Sequence, residues 1–328
     1  MAGADAHTLD SELDVLLAGC GLLDRSERGK LALSGSGAVE FLGGQVTNEL
    51  DDLRCGEGCY AAFLTHKGKM LGDLRILAAG AEPGAPPTEL LLDTERACLQ
   101  ALFDMISRFK VGYDVELHKR TLESGLLSLI GPRAAAVAGV EDLPGPEHSH
   151  RTVGLDGIAA RAVRTDVGVD LICAAADTGA LADALRRRGA IDVDEEAAEC
   201  LRIEHGRPRY GIDLDDSVIP QEAGLNERAV SFTKGCYVGQ ETVARLHYKG
   251  KPNRHLRGLR LSAPAPAGVE LRLEDRVVGR IGSSAVSPRL GPIALALVRR
   301  EAEPGSVVRA GDRDLSAEVL ELPFSPPV

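Results

Sequence analysis

The densest chemistry in this 328-residue sequence lies in one stretch, Phe232-Thr233-Lys234-Gly235-Cys236-Tyr237-Val238-Gly239-Gln240-Glu241-Thr242-Val243-Ala244-Arg245. Cys236 is a candidate nucleophile, redox-sensitive thiol or transient metal ligand, because a cation such as Lys234 nearby lowers a thiol pKa and raises its thiolate fraction. The competing reading is a buried, inert thiol. Gln240 and Glu241 either hold this loop by hydrogen bonds or contact a ligand. If the stretch is helical, Glu241 and Arg245 are spaced for an ion pair worth about 0.5 kcal/mol. A cysteine hydrolase would in addition need His205 or His247 beside Cys236 in space.

Other spacings argue against chemistry. Asp213, Asp215 and Asp216 start like a calcium loop, but its sixth position is Val218 rather than glycine and its twelfth is Gly224 rather than glutamate. Gly35-Ser36-Gly37 lacks the third glycine and the Lys-Ser/Thr of a phosphate-binding loop, and reads as a strand-to-helix turn. The seven cysteines are scattered, and Cys55 and Cys59 have no second ligand pair at a zinc-site spacing, so neither disulfides nor a metal is expected.

Composition narrows the partners. A net charge of −11 disfavours nonspecific nucleic-acid binding. The stretch from Arg245 to Arg257 is locally basic and is either a solvated loop or a surface for a small polyanion. No apolar run approaches the ~20 residues that cross a bilayer, and the first ten residues lack a secretory pattern, so no membrane and a cytoplasmic location are expected.

The elements that must position these residues repeat. A strand at Leu31 to Leu33 turns into a helix from Ala38 to Thr47, followed by a hairpin from Tyr60 to Leu77 turning near Lys67-Gly68-Lys69. A strand at Glu89 to Leu92, a helix from Thr94 to Ser107 and a strand around Tyr113 to Leu117 complete the unit. The second unit has a strand at Gly125 to Ile130, a helix from Arg133 to Ala138, a loop from Leu143 to His150, a hairpin from Gly157 to Cys173, a helix from Thr178 to Arg188 and a strand at Ile191 to Val193. Strand-helix-strand units around a hairpin suggest duplicated ferredoxin-like α+β units. Beyond Lys251-Pro252-Asn253 the short alternating segments predict a small all-β domain.

Lys234-Gly235-Cys236-Tyr237-Val238-Gly239-Gln240-Glu241 resembles the signature of the YgfZ family. Arg202-Ile203-Glu204-His205-Gly206, Tyr210-Gly211-Ile212-Asp213, Pro220-Gln221-Glu222-Ala223-Gly224-Leu225, Thr47-Asn48-Glu49 and Gly68-Lys69-Met70-Leu71-Gly72-Asp73-Leu74 resemble aminomethyltransferases of glycine cleavage too. The resemblance spans roughly Leu22 to Pro323. It implies an α+β, three-domain ring with duplicated ferredoxin-like units and a C-terminal β-barrel. A folate-binding unit over 22–120, a unit carrying the cysteine motif over 121–253 and the barrel over 254–328 would surround tetrahydrofolate or a one-carbon derivative.

By the same resemblance, Glu204 would recognise the pterin, whose paired N–H donors suit a carboxylate, with Arg202, Tyr210, Lys234, Tyr237, Gln240, Glu241 and Arg245 as further binding candidates. Tyr210, Phe232 and Tyr237 are candidates for stacking on the pterin or for core packing. Asp73 stands for one member of an acidic pair beside the folate nitrogen, with Gly72 in place of the other, and Cys236 would act in catalysis. The implied function is a folate-dependent accessory factor in iron-sulfur cluster assembly or repair, working on client or assembly proteins. The alternatives are a folate-dependent aminomethyltransferase, or a folate pocket retained without chemistry.

Overall fold

Most of the expected strands form, and they gather into two open sheets and a closed barrel. The computed structural model describes residues 3–311 and 315–324. Its chain divides into two compact units, one made of the residues up to Leu64, Leu71–Glu195 and Arg228–Val238, the other of Thr65–Met70, Glu196–Glu227 and the chain from Gly239 onward.

In the first unit a five-stranded sheet runs in the order Gly58–Leu64, Met70–Ala79, Glu89–Thr94, Gly29–Ser34 and Glu116–Lys119. Met70–Ala79 is buried almost throughout, a strand covered on both faces, and this places Asp73 and Arg75 in the interior. Helix Leu99–Phe109 turns Leu102, Met105 and Ile106 inward, three and one residues apart on one face. The expected helix from Thr94 begins instead as a single 3-10 turn, Arg96–Cys98.

The second sheet of this unit has six strands in the order Ile191–Asp192, Gly21–Asp24, Ser124–Ile130, Gly168–Ala174, Ile158–Arg164 and His150–Leu155. Helices Ala134–Ala138 and Thr178–Arg187 supply Val137, Leu181 and Leu185 to its core. Two of its strands differ from the sequence reading. Gly21–Asp24 comes from ahead of the first repeat and pairs antiparallel with Ser124–Ile130, so the duplicated units are interleaved through it. His150–Leu155 starts at the last residue of the expected loop and fills a stretch for which the sequence reading gives no element, pairing with Ile158–Arg164 across a turn at Asp156 and Gly157, both at positive φ. Helix Gly3–Ala18, also absent from the sequence reading, buries Leu13 and Leu16.

In the second unit the barrel closes in the order Arg254–Leu261, Gly291–Arg299, Arg276–Ser287, Glu270–Leu273, Val307–Ala310 and Leu315–Leu320. Closure removes the free edges an open sheet would expose. Its interior holds Leu259, Leu271, Ile281, Val298 and Val319, while Ile203 packs with Leu256, Ile293, Leu295 and Phe324. No helix among the described residues is long and apolar enough to cross a membrane.

Candidate functional site

Helix Ala38–Gly43 is shorter than the expected Ala38 to Thr47, because Gly43 and Gly44 end it. The chain beyond is pinned into a fixed bed: Thr47 N–H donates to Ala62 O (3.0 Å), Ala62 N–H to Thr47 Oγ1 (2.9 Å), and Thr47 Oγ1 to Ala229 O (2.5 Å). Asn48 Nδ2 donates to Tyr60 O (2.9 Å) and Arg228 O (3.2 Å). Terminating the helix early turns carbonyls outward, and one cation collects them. Lys234 Nζ donates to Gly43 O (2.7 Å), Val46 O (2.9 Å) and Asn48 O (2.6 Å).

An ammonium has three N–H donors, and three carbonyls take them. Lys234 is therefore an anchor for the motif loop rather than the activator of Cys236 that the spacing suggests. Burial pushes its pKa down, and the acidic Glu49 opposes that shift. Its charge also opposes the rise at the Cys59 thiol, which burial pushes up to about 12. The Lys234 ammonium also lies 5.3 Å from the Tyr237 ring centroid. Tyr237 is buried and Cys236 is exposed. The two rival readings of Cys236 are thus separated by burial: it is not one of the interior thiols.

On the same unit's first sheet, Asp73 is 6% exposed and accepts from the Tyr60 hydroxyl at 2.6 Å. Burial pushes its carboxyl up to about 6, with Glu95 adding to the rise and the Tyr60 hydrogen bond and Arg28 opposing it. Burial, with Asp73 adjoining, holds the Tyr60 phenol well above its usual range, so Tyr60 keeps its proton and serves as donor. The Arg228 guanidinium lies 5.1 Å from the Tyr60 ring centroid and pairs with Glu147 at 2.6 Å. Thr94 Oγ1 holds Asp73 O at 2.5 Å. A carboxyl poised near neutrality against a phenol can accept or return a proton. Gly72 is glycine for steric reasons: a Cβ there would lie 2.7 Å from the Phe63 ring and 2.8 Å from Cys98 Cβ.

Neither Tyr60 nor Arg228 was among the residues singled out from sequence. The hairpin turn at Lys67-Gly68-Lys69 is the signal for Tyr60, since counting outward from it brings the two strands side by side near Asp73. Arg228 carries no such signal, because the chain returns to this sheet only after passing through the other unit.

The second unit holds Glu204, Arg202, Tyr210, Gln240, Glu241 and Arg245. Glu204 is 3% exposed, and both its oxygens are engaged, one by Ser287 Oγ at 2.5 Å and one by the Arg289 guanidinium. Arg289 is 39% exposed at its side chain, so it is the solvent-facing half of the pair. Arg202 bridges Glu199 (2.8 Å), Asp213 (3.0 Å) and Ser283 Oγ (2.5 Å). Asp213 further accepts the backbone N–H of Arg209 (2.9 Å) and of Ser283 (2.7 Å). Tyr210 donates to Met70 O at 3.3 Å. Arg202 and Asp213 thus tie the long loop to the barrel strand Arg276–Ser287. Gln240 opens helix Gln240–Lys249, and Glu241 and Arg245 stand exposed on it one turn apart.

Two family models match the chain. Residues 5–234 match the GCVT N-terminal domain and residues 254–325 the glycine cleavage T-protein C-terminal barrel domain. A chloroplastic protein of Arabidopsis thaliana, whose name classes it with the transferases, is 28% identical over 326 residues, covering 96% of this chain and 73% of that protein. The crystal structure of glycine cleavage system aminomethyltransferase T from Bartonella henselae superimposes with a TM-score of 0.84 at 26% identity, covering 97% of this chain and 89% of that one. With sheets, barrel and motif segments all accounted for, the chain belongs to the glycine-cleavage T-protein family and has the aminomethyltransferase fold.

Proposed function

We propose that this protein binds tetrahydrofolate and serves the assembly or repair of iron-sulfur clusters as a YgfZ-type member of its family, with Cys236 as the working thiol. The observation that carries the reading is the treatment of the motif loop: Lys234 is anchored to three carbonyls while Cys236, two residues on, is exposed. A fixed loop presenting an accessible thiol suits contact with a client protein. Folate would supply a one-carbon carrier on its ring nitrogen. Asp73, hydrogen-bonded to Tyr60 and with its pKa raised to about 6, is fitted to exchange a proton with such a nitrogen. Glu204 would meet the pterin by exchanging its Arg289 partner for the ligand's paired N–H donors, since Arg289 is the exposed half of that pair.

Cells lacking the protein and complemented by Cys236→Ser should show normal levels of folded protein but reduced activity of iron-sulfur enzymes. Full restoration by that variant would remove Cys236 from the function.

One observation favours a second reading, a true aminomethyltransferase. Asp73 retains the burial and phenol contact that proton transfer needs, on a fold matching that enzyme closely. Methylene-tetrahydrofolate formed from an aminomethylated carrier protein, and lost in Asp73→Asn, would establish it.

A further inference from the structure

The basic stretch near the barrel and the hairpin tip at Lys69 have no role in the account above, yet the second unit brings them to one place. Thr65 N–H donates to Lys69 O (2.8 Å), and Lys69 N–H lies 3.2 Å from Thr65 Oγ1, so the tip is held from both sides. Gly68, at φ +74, sits where a Cβ would lie 2.9 Å from Thr242. With its backbone fixed, Lys69 extends Nζ to Ser217 O at 2.6 Å. The same carbonyl accepts Arg254 Nη2 at 2.8 Å. Two positive groups thus converge on one neutral oxygen.

A third cation faces them. Arg254 and Arg299 are direct cross-strand partners between Arg254–Leu261 and Gly291–Arg299. Like charges directly opposite on a sheet are destabilising, whereas an ordinary solvated basic face spreads its charges apart. Arg300 adjoins, its N–H donating to Asn253 O at 3.0 Å. Lys69, Arg254, Arg299 and Arg300 line one recess of about 550 Å³, and the carboxylates there are Glu222 and Glu301. Glu222 is already consumed, gripped by Arg254 through Nε (3.2 Å) and Nη2 (2.9 Å). Positive charge in the recess therefore exceeds its internal compensation, in a volume suited to a small ligand, and arginine forks match phosphate and carboxylate oxygens.

We propose that this recess binds a small polyanion, a ligand carrying two or more phosphate or carboxylate groups, with Arg299 and Arg300 supplying the uncommitted guanidinium groups. The test is calorimetric titration of the full chain at low salt with inorganic pyrophosphate and, separately, with triglutamate. At least one should bind saturably at one site per chain, and which one binds assigns the phosphate or the carboxylate class. Arg299→Ser and Arg300→Ser, both at exposed side chains, should each weaken binding at least tenfold with unchanged circular dichroism. Arg309→Ser, an exposed arginine on the barrel strand Val307–Ala310, should leave affinity as it was. Absence of saturable binding by either anion, or equal weakening by Arg309→Ser, would overturn the proposal.

Discussion

At the scale of the residue, Asp73 and Lys234 show how burial sets chemistry. The folded pKa of Asp73, about 6, lies above the ordinary carboxylate value, so the folded state holds this proton more tightly than the unfolded state does. That contribution is complete below about pH 4 and is lost as pH rises through 6. Asp73→Asn should therefore be more stable than wild type at pH 7.5, by about 3 kcal/mol from a shift of some two pKa units, and the advantage should close by pH 4. Urea unfolding across that range measures it, and a pH-independent difference would contradict the assignment. For Lys234, replacement by Met strands three carbonyls and should cost about 2 to 4 kcal/mol in the same assay. Maleimide labelling of native protein should find one fast thiol, Cys236, because Cys20, Cys55, Cys98, Cys173 and Cys200 are buried and Cys59 is half-buried. The motif singles out Cys236 and the structure exposes it, whereas the short-range spacing gives no hint of the carbonyls that hold Lys234, which lie some 190 residues earlier in the chain.

At the scale of the element, what was legible followed local pattern. Alternation announced the barrel strands, and turn residues announced the hairpins between Gly58 and Ala79 and between Ile158 and Ala174. Strand Gly21–Asp24 is only four residues long and depends on partners more than a hundred residues ahead, so nothing in its own sequence marks it. His150–Leu155 carries Thr152 and Gly154, and only its antiparallel neighbour makes it a strand. Packing between elements also explains Gly72. The Phe63 ring on the neighbouring strand occupies the space that a second carboxylate would need. Gly72→Asp should lower stability by about 2 kcal/mol or more through overpacking and buried charge, read as a lower urea midpoint; a neutral effect would show that the strand pair yields more easily than its contacts imply.

At the scale of the whole molecule, the family fold was recognisable because several motif segments occur in order, each in a structurally defined place. The committed state of Glu204 was not recognisable, because Ser287 and Arg289 approach it from the barrel, more than eighty residues later. The account rests on folate binding by this chain, and calorimetric titration of tetrahydrofolate into the purified protein tests it most directly, with Asp73→Asn and Glu204→Gln titrated alongside and circular dichroism confirming that all three are folded. Saturable binding at one site per wild-type chain, weakened in Glu204→Gln, is the predicted result. Folded wild-type protein that gives no binding would contradict the account and leave the fold serving some other ligand.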